Sequence, residues 1–152
     1  MKTYDYEKHH TCELLGRSFS FPEWSDYCKA NRYENPPVYS ENGFDWNIYD
    51  VCVNPNHFDI NLGDREYITI ETAQVRNGWY YGYVWNVFSR SMSGLVHSAS
   101  PCSYKPDIPC YCSESSAIRA ALLAVKKHCE PTGSVLAAIN AEIFNHSQLT
   151  LF

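Results

Sequence analysis

The stretch 66–88 constrains what this chain can fold into more than any other. Over 66–75 the residues alternate, with Ile68, Ile70 and Thr72 on one side and Tyr67, Thr69 and Glu71 on the other. A period of two is the signature of a strand. Asn77-Gly78 follows, a pair that adopts positive φ at low cost and closes a two-residue hairpin. Residues 79–88 then read as the returning strand, and 94–98 as a further strand of the same meander.

Beyond residue 112 the period changes from two to 3.6. Ile118, Ala121, Leu122, Val125 and Cys129 form one apolar stripe. Ser113 is placed to cap that helix, and Glu114 suits the positive end of its dipole. Lys126, Lys127 and His128 lie where the dipole favours cations, and Pro131 and Gly133 stop the helix. A second helix is expected over 134–145, with Leu136, Ile139 and Ile143 on one side. Earlier in the chain, 21–33 reads as a short helix with Pro22 in its first turn and Trp24, Tyr27 and Cys28 along one face. Residues 44–53 read as extended and are ended by Asn54-Pro55-Asn56, while 61–64 is a turn. Pro106 and Pro109 make 104–112 an irregular loop or an edge segment. The fold class that follows is α+β, an antiparallel β-meander with helices packed on one face. A single domain is expected over 1–145, with a tail over 146–152.

Composition narrows the functional classes. Only 19% of the residues are charged and the formal net charge is −5, which argues against a broad grip on nucleic-acid phosphates. No apolar stretch approaches the roughly 20 residues of a membrane span, and the polar start of the chain has no secretory pattern. A soluble cytoplasmic protein is the expectation. Its seven cysteines then read as reduced thiols, and their odd number disfavours a closed disulfide framework.

The chain ends in Gln148-Leu149-Thr150-Leu151-Phe152, a polar amide followed by large apolar side chains. An apolar terminus needs a surface to cover it. Leu149, Leu151 and Phe152 would each contribute roughly 1.5–3 kcal/mol if fully buried, and the Gln148 amide can donate and accept at once to set the register. Alternation within Leu-Thr-Leu also allows a last strand folded onto the protein's own core. The segment resembles the short motif by which many bacterial polymerases, repair proteins and mobile-element proteins bind the β sliding clamp, Gln-Leu-(Ser or Asp)-Leu-Phe. Gln148, Leu149, Leu151 and Phe152 match that pattern, and Thr150 departs from it. The resemblance covers this pentapeptide alone. It implies docking to the clamp, and an origin in a phage or mobile element.

Other candidates are weaker. Trp79, Tyr81, Tyr83 and Trp85 share one face of a strand. Exposed, they would stack bases; covered, they are the sheet's core face, which is the favoured assignment. His97, Cys102, Cys110 and Cys112 are the right types to ligate zinc, but Cys110 and Cys112 have one residue between them instead of two to four. His9, His10 and Cys12 form a still thinner set. Asp45, Asp50, Asp59 and Asp64 would suit a metal-dependent nuclease, although solvated turns explain them as well. No nucleophile elbow, phosphate-binding loop or dinucleotide fingerprint is present. The sequence therefore favours a non-enzymatic accessory protein without cofactor, docking the replication clamp through its last residues. The alternatives are a phage-encoded inhibitor of a host defence protein, such as an anti-CRISPR, and a small nuclease.

Overall fold

The alternating segment forms the spine of the molecule. A computed structural model describes residues 10–31, 36–63, 65–90 and 94–148. In chain order these form β1 (His10–Cys12), β2 (Arg17–Phe19), α1 (Phe21–Ala30), β3 (Tyr39–Glu41), β4 (Phe44–Trp46), β5 (Asn56–Asn61), β6 (Tyr67–Val75), β7 (Gly78–Phe88), β8 (Leu95–Ser100), α2 (Glu114–Cys129) and α3 (Gly133–Gln148). Strands β5 to β8 make an antiparallel sheet in sequence order, and β1–β2 and β3–β4 are separate hairpins. The fold is α+β, as the change of period implies.

Register decides which side chains meet. Ile68 lies opposite Trp85 and Ile70 opposite Tyr83, so these four share a face. Helices α2 and α3 close that face with Ile118, Leu122, Val125 and Ile139. Among the described residues the opposite face is covered towards the hairpin end. There Ala73, Val75 and Tyr80 pack against Leu14, Phe44, Trp46, Cys52, Cys102 and Tyr104. Helix α1 does not join the layer over the sheet. Its Trp24 and Tyr27 pack on a small cluster of Cys12, Phe19 and Ile48. Ser20 caps α1 by accepting from the Glu23 N–H, and the helix ends at Ala30, short of the expected residue 33.

Three local expectations are corrected. The hairpin turn is Arg76-Asn77 (φ 51° and 62°), and Gly78 is the first residue of β7, opposite Val75. Tertiary bonds hold Arg76 in this unusual backbone. Glu41 accepts its N–H at 2.5 Å, and its guanidinium donates to the Tyr104 hydroxyl and to the carbonyls of Glu13 and Leu14. Gly78 is needed for space instead, because a Cβ there would sit 2.7 Å from Cys110. The extended reading of 44–53 is broken after β4, where Asn47 Oδ1 accepts from the Tyr49 and Val51 N–H groups and Asp50 takes φ 60°. Strand β5 occupies the stretch between the two expected turns, 54–56 and 61–64, which the sequence leaves without an assigned element because Ile60 is its one buried residue.

Candidate functional site

The aromatic row on β7 has one buried member, Trp85, and three half-buried ones, Trp79, Tyr81 and Tyr83. Trp85 is buried beneath α2, and Trp79 meets the Phe44 ring edge-on at 5.9 Å. Between them Tyr81 and Tyr83 are half-buried, their rings 6.4 Å apart and 25° from parallel. They stay open because the neighbouring strand ends early. Strand β8 stops at Ser100, opposite Tyr83, while β7 continues to Gly78. The chain after Ser100 crosses the far face at Gly82, where an added Cβ would lie 2.2 Å from Cys102 N. It then returns to the edge of β7, where Trp79 and Tyr111 exchange backbone bonds of 2.8 and 2.9 Å.

The result is a cleft of about 300 Å³. It is lined by Tyr81 and Tyr83 of β7, by Ser103, Ile108, Pro109 and Tyr111 of the chain after β8, and by Ala124 and His128 of α2. The Tyr111 ring lies 6.0 Å from that of Tyr81. Burial raises the Tyr81 phenol above its ordinary value, with Tyr111 and Tyr83 adding to the effect. Burial and then Cys110 push the nearby Tyr80 phenol up to about 12. Both are protonated hydrogen-bond donors at neutral pH. The strand face was readable in the sequence. Tyr111 and His128 were not, because the path of 101–112 around β7 brings them there and no spacing announces it.

The other sequence candidates stay apart or are already engaged. Among the described residues no group of three or more His, Cys, Asp or Glu is placed to hold a metal. His97 is exposed on β8, whereas Cys102 is buried with its thiol directed to the Tyr80 carbonyl. Cys110 and Cys112 are exposed. Burial pushes the Cys102 thiol far up and the Cys52 and Cys129 thiols up to about 11. His10 Nε2 bonds the Ile48 carbonyl at 2.7 Å, and the Cys12 thiol donates to Asp50; His9 lies outside the described residues. Asp50 is a structural acceptor for the Glu13 and Leu14 N–H groups at 2.9 and 3.0 Å. Asp45 accepts from Ser40 at 2.6 Å and Asp59 from Thr69 at 2.7 Å, while Asp64 lies outside the described residues.

Helix α3 carries the chain up to the clamp-like pentapeptide. It runs to Gln148, so 146–148 belong to the helix and not to the expected tail. Its last turn is tied down from several sides. The buried His146 ring stands edge-on to Phe58 of β5 at 5.0 Å, and its Nδ1 bonds the Glu142 carbonyl at 2.8 Å. Ser115 donates to the His146 carbonyl at 3.3 Å, and Arg119 Nε donates to Ser147 Oγ at 2.6 Å. The Gln148 side chain and Leu149, Thr150, Leu151 and Phe152 lie outside the described residues. No protein-family model, curated protein or solved structure matches this chain.

Proposed function

We propose that this protein is a non-enzymatic binding module that docks the bacterial β sliding clamp through the segment 148–152. The observation that carries the reading is the anchored end of α3. The matching residues begin at the last position of a helix whose final turn is bonded to α2 and packed on β5. A docking peptide that starts from a rigid point loses less entropy on binding than one on a long linker. Gln148 supplies the polar register contact, and Leu149, Leu151 and Phe152 supply the apolar area. Because ordering the peptide offsets much of that gain, a dissociation constant on the order of micromolar is expected. The body then acts as cargo delivered to replicating DNA, in keeping with an origin in a phage or mobile element.

Affinity capture from a bacterial lysate tests the reading, using the full chain and a Leu151→Ala/Phe152→Ala variant side by side. Clamp recovered with the full chain and lost with the variant supports it. A different protein recovered equally by both, with no clamp, overturns it in favour of an inhibitor that works through the body.

A further inference from the structure

The cleft beside β7 contains an unfilled position in the sheet. Trp79 exchanges both of its backbone bonds with Tyr111, so its N–H and C=O face away from β6. Backbone groups alternate sides along a strand, so those of Tyr81 face the same way. At Tyr83 the neighbour is Ser100 of β8, and at Trp79 it is Tyr111, but at Tyr81 the ladder is interrupted. Neither the N–H nor the C=O of Tyr81 has a hydrogen-bond partner among the described residues. A donor and an acceptor therefore lie side by side on a residue that lines the cleft, in company with the rings of Tyr83 and Tyr111.

We propose that this cleft is a binding site for a small uncharged planar heterocycle of the nucleobase or nucleoside class. Each part of the arrangement restricts the ligand. The Tyr81 N–H and C=O call for adjacent acceptor and donor groups, which the edge of a nucleobase presents. The rings of Tyr111, Tyr81 and Tyr83, spaced at 6.0 and 6.4 Å, offer faces and edges for a flat aromatic partner. The described lining contains no Lys, Arg, Asp or Glu, so apart from the imidazole of His128 it holds no side chain that would offset the charge of a phosphate or an ammonium group. A volume of about 300 Å³ is at the small end for ligand sites. Ser100 and Tyr111 close the gap along the strand, which excludes a through-running peptide.

The proposal makes no use of segment 148–152, and its test is independent of clamp binding. The full-length protein, labelled with nitrogen-15, is titrated with adenosine, uridine and adenosine monophosphate up to millimolar concentration. The expected result is saturable movement of the Tyr81 amide signal with a nucleoside, and weaker binding of the monophosphate. Tyr111→Ala should weaken nucleoside binding by roughly tenfold, since one stacking face is worth about 1–3 kcal/mol. Tyr111→Phe, which keeps the ring, should retain binding, and so should Tyr67→Ala on the far face. A Tyr81 amide that does not move with either nucleoside overturns the proposal. So does tighter binding of the monophosphate, or unchanged affinity in a folded Tyr111→Ala protein.

Discussion

Several single residues are chosen by space or burial where local propensity would choose otherwise. Gly82 lies in a strand, where glycine is disfavoured, because the backbone of 100–102 passes directly over it. An alanine Cβ would meet Cys102 N at 2.2 Å, Pro101 C at 2.5 Å and Ser100 O at 2.6 Å, all backbone atoms. Gly82→Ala should therefore cost about 1–3 kcal/mol, the usual range for overpacking. Calorimetry should show a fall of several degrees in Tm. Gly94→Ala, where nothing lies within 4 Å, should leave Tm unchanged. Glu71 behaves in the opposite sense. Burial raises its carboxyl above the ordinary value despite the opposing effect of His57. A carboxyl raised on folding is accommodated while protonated, and stability declines as rising pH ionises it. Glu71→Gln should thus raise Tm at pH 7 and leave it unchanged well below pH 4, as thermal melts across pH will show. The thiols give a third check. Cys110 and Cys112 are exposed, whereas Cys12, Cys52, Cys102 and Cys129 are buried. A disulfide reagent at neutral pH should modify the exposed pair quickly and the buried four only on unfolding. Fast modification of Cys102 would contradict the packing at Gly82.

At the level of elements, what could be read from the sequence followed the strength of each segment's period. Strands β6 and β7 were readable because one face of each is buried along most of its length, and α2 because its stripe from Ile118 to Cys129 is uninterrupted. Strand β5 was not, since an edge strand with a single buried residue has no alternation to detect. The hairpin turn was displaced by one residue because Glu41, Tyr104 and the 13–14 carbonyls hold Arg76 at positive φ, a long-range effect that no local pair of residues displays. The cleft was half visible. Tyr81 and Tyr83 follow from the β7 period, while Tyr111 and His128 arrive through chain path alone. Helix α3 ran past its expected end because the last turn is held by α2 and β5. Arg119→Ala removes the donor to Ser147, a bond worth about 1 kcal/mol. Hydrogen exchange at 145–148 should then accelerate severalfold, with exchange in β6 unchanged; equal acceleration in both would show that the bond stabilises the whole fold.

Across the whole molecule, the described core comprises one cluster between sheet and helices, a second at the hairpin end and a smaller one beneath α1. No described helix is long and apolar enough to cross a membrane. The net charge of −5 offers little to a phosphate backbone, so delivery to DNA would have to come through a protein. That places the weight on the pentapeptide that begins at the last residue of α3. The most direct measurement is equilibrium binding of the full chain to purified β sliding clamp, with Tm recorded on the same samples. The proposed role requires micromolar affinity that Gln148→Ala and Leu151→Ala/Phe152→Ala each abolish while Tm stays within a degree or so of the parent, as expected for surface changes. Absent binding, or a Tm several degrees lower in the double variant, would mean that these side chains serve the protein's own interior and that the clamp is not its partner.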